Sequence, residues 1–227
     1  VFGNPCDVEA IERIAKKHEL KVIYDAAHAF GVEYKGRSLL DYGDISVCSF
    51  HATKLLHTIE GGAIVVRDKG ISDRVELIKR FGHNGDDHYM LGINAKASEF
   101  HAAMGLCNLN YIDEIIRQRK EATEKYDQLL GDTLGRPSIR PGATYNYAYY
   151  PVLFKNESQL LDYKDRLQAQ NIFPRRYFYP SLNKLQYIDD TSNCVVSEDI
   201  SMRIMCLPLY AGIEEETVKK ICEVLTT

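Results

Sequence analysis

The sequence predicts an α/β fold: a large-domain portion with a mostly parallel sheet and a linking helix over residues 1–130, and a small C-terminal α+β domain over 131–227. Three observations carry this. An amphipathic helical stretch runs directly into a short apolar run ending in an acid. Two further short, β-branched runs follow, bounded by Gly, Asp or Lys, as strands buried on both faces are. Then Gly131, Gly135, Pro137, Pro141 and Gly142 break the chain, and the rhythm changes beyond them.

The elements follow in order. Residues 7–18 read as a helix, with Val8, Ile11, Ile14 and Ala15 at helical spacing and Asp7 as its start signal. Residues 21–25, 45–50 and 62–66 read as buried strands. Residues 71–81 read as a helix, and the Gly-rich stretch 82–87 as a loop. The segment 98–109 places Ala102, Ala103, Leu106 and Leu109 on one helical face, and 111–130 places Ile112, Ile115, Ile116, Tyr126 and Leu129 opposite a charged face. Past the break, 149–154 reads as a strand, and 158–170 as a helix with Leu160, Leu161 and Leu167 on its apolar face. A strand at 204–208 and a helix at 214–225 close the chain.

Bulk properties narrow the function classes. A net charge of −4, mixed in sign along the chain, gives no electrostatic footprint for nucleic acid or an anionic membrane. No apolar run approaches the roughly 18 residues of a spanning helix. Six cysteines, without a C-x-x-C pair or a Cys/His cluster, fit a reducing compartment, hence the cytoplasm, and predict neither a disulfide framework nor a metal site. The opening Val1-Phe2-Gly3-Asn4-Pro5 has no charged or apolar leader and reads as the interior of a longer protein.

Three polar residues stand at strand ends: Asp25, Ser49 and, just past the second strand, Lys54. Singly, each has an ordinary explanation: a helix cap, a backbone partner, a solvated lysine. Ligands of open parallel sheets bind at the carboxyl ends of strands, so together the three outline a cofactor site. A flavodoxin-like nucleotide-binding domain would instead need a Gly-rich phosphate loop after the first strand, and Asp25-Ala26-Ala27-His28 is not one.

Those residues also carry a resemblance. Val22-Ile23-Tyr24-Asp25-Ala26-Ala27-His28-Ala29-Phe30-Gly31, the run Ser49-Phe50-His51-Ala52-Thr53-Lys54 and Glu60-Gly61-Gly62-Ala63-Ile64 closely resemble the DegT/DnrJ/EryC1/StrS family of sugar aminotransferases. Gly92-Ile93-Asn94, Tyr179-Pro180-Ser181-Leu182 and Leu207-Pro208-Leu209-Tyr210 resemble its later signatures, so the likeness runs through nearly the whole chain.

The resemblance implies an aspartate aminotransferase type I-like fold and the cofactor pyridoxal 5'-phosphate (PLP). It casts Lys54 as the lysine that holds PLP as a Schiff base and then carries protons, and Asp25 as the carboxylate that keeps the ring nitrogen protonated. Ser49 matches the hydroxyl that binds the phosphate. His28 stands where the family commonly has glutamine, near the phenolic oxygen, and a ring N–H can donate the same bond. Asn94 matches a residue that reaches the neighbouring subunit's phosphate, implying a homodimer with composite sites. Some members carry His in place of this lysine and dehydrate their sugars; Lys54 favours amino transfer. The implied reaction moves an amino group from L-glutamate to a nucleotide-linked keto-6-deoxy sugar, in amino-sugar biosynthesis for cell-surface polysaccharide such as lipopolysaccharide.

The match begins well inside the family's large domain, without the N-terminal part that cradles the phosphate and stacks on the ring. The 227 residues alone are therefore expected to bind PLP weakly or not at all. A non-catalytic regulatory or binding protein that keeps the fold stays open as the alternative.

Overall fold

The computed structural model describes residues 1–188 and 192–227, which form two compact units. One comprises Val1–Asp113 with Ile139–Asn146, the other Glu114–Ser138 with Tyr147–Thr227.

In the first unit, Asp7 caps α1 (Val8–Lys17) by accepting the Ala10 N–H at 2.9 Å, and Glu9 and Lys16–Lys17 complement the helix dipole at its two ends. The chain enters β1 (Ile23–Asp25), turns, forms the short hairpin β2 (Glu33–Tyr34) and β3 (Arg37–Ser38), and returns as β4 (Ile45–Ser49) and β5 (Gly62–Val66). β1 and β4 are parallel, with Asp25 beside Val47. β5 runs antiparallel to β4, with Ser49 beside Gly62, so this three-stranded sheet is mixed where a mostly parallel one was expected. The cause is local. Residues 50–61 fold into turns with no helix, and a connection of that kind joins antiparallel neighbours, whereas parallel ones need a crossover.

Within these 227 residues the strands are covered on one face. Ser46 and Cys48 lie inside at 0% and 1% exposure, while Ile23, Val47 and Ile64 at alternating positions are open to solvent. Register and the period of two put Asp25, Val47 and Ser49 on that open face.

α2 (Lys69–Lys79) starts at Asp68, whose side chain accepts the Ile71 N–H at 2.8 Å. The Gly-rich stretch expected as a loop is a tight hairpin, β6 (His83–Asn84) and β7 (Asp87–His88), which puts the two histidine rings 5.4 Å apart. α3 (Glu99–Leu109) does not bury its expected apolar face: Ala102, Ala103, Leu106 and Leu109 are exposed. It buries Gly105, because a Cβ there would lie 2.8 Å from Thr58 Cγ2 and the helix could not approach so closely.

α4 (Ile112–Leu130) supplies the second unit with Tyr126 and Leu130. The unit continues through β8 (Tyr150–Leu153), α5 (Glu157–Gln168), α6 (Val195–Arg203), β9 (Ile204–Leu207) and α7 (Glu215–Thr226). β8 and β9 pair antiparallel, and their Tyr150, Val152, Met205 and Leu207 meet Leu160, Leu167, Val218, Ile221 and Leu225 of the helices in one core. Buried tyrosine hydroxyls are satisfied: Tyr126 donates to Pro208 O and Tyr150 to Asp127 Oδ1, both at 2.8 Å. α6 had no counterpart in the sequence reading, because Val195 and Val196 are exposed and no apolar stripe marks it.

Of the three leucines assigned to the α5 face, Leu160 and Leu167 are fully buried and Leu161 is 39% exposed. Leu160→Ala should therefore destabilise the fold by about 2–5 kcal/mol and Leu161→Ala by clearly less, as read from denaturant midpoints. Equal losses would contradict this packing. Among the described residues no helix is long and apolar enough to cross a membrane.

Candidate active site

β1 ends on Asp25, whose Oδ1 accepts the Ala27 N–H at 3.1 Å, a side-chain turn that stops the strand at the carboxyl edge of the sheet. The next N–H, of Ala26, still donates to Val47 O at 2.9 Å, so the backbone just past Asp25 stays on β4. His28 follows in a turn, not at the start of a helix. Its Nδ1 accepts the Phe2 N–H at 3.0 Å, and its ring stacks on Phe2 with centroids 6.2 Å apart. With Nδ1 accepting, the neutral imidazole carries its proton on Nε2. Burial first, then the positive charges of Lys54 and of the Val1 amino group, push the His28 pKa down to about 4, with Asp25 opposing.

β4 ends on Ser49, whose Oγ accepts the His51 N–H at 3.3 Å. The Lys54 N–H donates to His51 O at 2.9 Å and closes a turn, and the buried Leu55 and Leu56 anchor the chain behind it. Three further bonds fix this loop. Thr58 N–H donates to Phe50 O, Phe50 N–H donates to Gly61 O, and the Asn108 side chain, from α3, donates to His57 O at 2.9 Å. Lys54 itself is half-buried. Burial lowers the pKa of its ammonium, while Asp25 and the Cys48 thiol oppose the shift. A lysine shifted this way keeps more free amine near neutral pH, which suits both a nucleophile and a proton carrier.

Asp25 and Lys54 are thus close enough for their charges to act on His28, and Asp25 for its charge to act on Lys54, while Ser49 shares the sheet face of Asp25. Asn94 is placed differently, on an exposed extended stretch bridged to Arg80, with its Oδ1 accepting from Lys96 Nζ. His51 serves its own turn, through Thr53 at 2.8 Å and Glu60 at 3.6 Å. The donor set fits PLP. A carboxylate suits a protonated ring nitrogen, an imidazole N–H a phenolic oxygen, a hydroxyl a phosphate, and a half-buried amine an aldehyde.

The His28 shift makes a pH prediction. Its folded pKa lies below the ordinary 6.5, so between about 4 and 6.5 the unfolded chain binds the extra proton. The stability this neutral histidine contributes is complete above about pH 6.5 and is lost as pH falls through about 4. His28→Gln should flatten that part of the stability–pH curve in urea titrations, and an unchanged slope would contradict it.

Sequence reasoning missed three contributors. Phe2 and Asn146 hold the His28 turn, and Asn108 holds the Lys54 loop. Asn146 left one signal, a polar residue inside the aromatic run Tyr145-Asn146-Tyr147.

Comparison with known proteins gives the family of the chain. The DegT/DnrJ/EryC1/StrS aminotransferase family matches over residues 1–226. The chain is 41% identical over 231 residues to a dTDP-4-amino-4,6-dideoxy-D-glucose transaminase of Shigella dysenteriae, covering 97% of this chain and 62% of that protein. It is 34% identical over 238 residues to a transaminase of the same name from Escherichia coli, covering 99% and 63%. Among solved structures, DesI in the presence of its TDP-sugar product superposes with a TM-score of 0.92 at 28% identity, over 99% of this chain and 59% of that one. The chain spans about three fifths of the length of the curated relatives it matches.

Proposed function

The chain belongs to the DegT/DnrJ/EryC1/StrS aminotransferase family, and from that premise we propose that the protein is a PLP-dependent aminotransferase. It moves an amino group from L-glutamate to a nucleotide-linked keto-6-deoxy sugar. A 4-keto sugar on dTDP is favoured by the names of the two transaminases at 41% and 34% identity. The observation that carries the reading is Lys54: half-buried, shifted toward its free amine, and coupled to Asp25 and His28 at the carboxyl edge of the sheet.

Bound PLP would supply an electron sink for charge developing on the carbon that loses a proton. The rest falls to the chain. Lys54 Nζ would hold the cofactor covalently and, once released by the amino donor, would take a proton from one carbon and return it to the next. Asp25 would hold a proton on the ring nitrogen. His28 Nε2–H would donate to the phenolic oxygen, and Ser49 Oγ to the phosphate. Asn94, which is exposed, would serve the site of a second copy, which makes the working unit a homodimer with composite sites. In this reading residues 1–130 are the C-terminal part of the cofactor-binding domain with its linking helix, and 131–227 the small domain. All six cysteines are free thiols, which supports a cytoplasmic enzyme of amino-sugar biosynthesis serving cell-surface polysaccharide.

The test is an assay with L-glutamate and a panel of nucleotide-linked 4-keto and 3-keto sugars, followed by mass spectrometry of the sugar product. Glutamate-dependent gain of an amino group on a dTDP-4-keto sugar is expected. Failure on every sugar by protein that holds PLP would remove the proposal in favour of a binding role.

A further inference from the structure

Asn146 is 1% exposed, and its Nδ2 donates to two carbonyls: His28 O at 3.0 Å and Phe30 O at 2.8 Å, on the turn that carries the imidazole. The two bonds join positions 118 and 116 residues apart in sequence, so nothing local in the turn supplies them. Gly3 completes the arrangement. With φ +78°, a Cβ there would lie 2.9 Å from Asn146 Oδ1 and 3.1 Å from His28 O. Only glycine lets this segment lie against both, and that approach brings the Phe2 N–H onto His28 Nδ1 and the Phe2 ring onto the imidazole.

We propose that Asn146 is a positioning residue for His28: by tying down the carbonyls of His28 and Phe30, it holds the imidazole against Phe2, in one tautomer, beside Asp25 and Lys54. The inference rests on the reading of this site as a PLP pocket. The side-chain type is specific to the task. An amide of this length offers two N–H groups to two acceptors. Aspartate would set its carboxylate against carbonyl oxygens, and leucine would take this amide donor away from both carbonyls. A turn released from this anchor lets water reach the ring and blurs its placement, and outer-shell partners of this kind commonly change ligand affinity about 10–100-fold.

The experiment compares wild type, Asn146→Ala and Leu160→Ala, the last a core change in the other unit that lowers stability without touching His28. The His28 imidazole is titrated by NMR in cofactor-free protein, and the Kd for PLP is measured by fluorescence. In Asn146→Ala, the His28 pKa is expected to rise from about 4 by one unit or more toward its ordinary 6.5, and the Kd for PLP to rise about tenfold or more. Leu160→Ala should leave both unchanged. A His28 titration that stays at its wild-type position in Asn146→Ala, with only stability lost, overturns the inference. Should that variant fail to fold, Asn146→Ser, which keeps a hydroxyl donor for one carbonyl, is judged by the same two outcomes. All measurements use the full-length protein that carries this chain; full-length wild type that binds no PLP would defeat the cofactor reading alone, because the cofactor-free titration still decides the role of Asn146.

Discussion

Lys54→Ala is expected to lower turnover by about 10³-fold or more, because in the proposed function one side chain supplies both the covalent hold on the cofactor and the proton carrier. The substitution should leave the fold nearly intact. The loop is held by backbone bonds from His51, Thr58 and Gly61, by the buried Leu55 and Leu56, and by Asn108, none of which needs the Lys54 side chain. Removing the ammonium also removes one of the charges that depress His28, so the His28 pKa should move up from about 4. Borohydride treatment of the PLP-loaded protein followed by peptide mass spectrometry gives the direct measurement. Wild type should carry the cofactor's mass on the peptide containing Lys54, and the variant should carry none. Turnover within tenfold of wild type would dismiss Lys54 from the chemistry.

Asp25→Asn should cost about 10²–10³-fold in kcat, the range seen when one preorganised electrostatic partner is lost. The amide is the informative replacement. Its oxygen can still accept the Ala27 N–H, so the turn at the end of β1 is kept and only the charge goes. Two neighbours then report on the missing carboxylate. Asp25 raises the pKa of both Lys54 and His28, so both should fall further in the variant. The unfolding midpoint should hardly move while kcat drops and the cofactor's absorbance changes with its ring protonation. A drop in kcat matched by an equal loss of stability would instead make Asp25 a structural cap.

Much of this site is written in linear sequence, because its parts are strand ends and the turns just after them. Asp25 and Ser49 are recognisable as the last residues of short apolar runs, and Lys54 follows a few positions later. The resemblance to a family rests on these same stretches. The open face of the sheet was not legible: Val47 and Ile64 have the composition of buried strand residues, and composition does not say which face another element covers. The direction of β5 was missed for a related reason. A run such as 62–66 reads the same in either direction, and only the helix-free connection before it makes β4 and β5 antiparallel. Leu161 shares the apolar stripe of α5 but not its burial, because helical spacing identifies a stripe without locating the core.

The sequence by itself therefore determined most of the longer helices and strands, the α/β class, and the acid, hydroxyl and lysine near one sheet edge. Each of these follows from local propensity and period. What only the tertiary structure decided is how those groups are held. Asn146 reaches the His28 turn from 118 residues away, Phe2 takes one imidazole nitrogen, and Asn108 clamps the loop of Lys54. Long-range hydrogen bonds to backbone carbonyls leave almost no mark on composition or spacing, since any turn offers the acceptors and only the folded chain brings the donor to them.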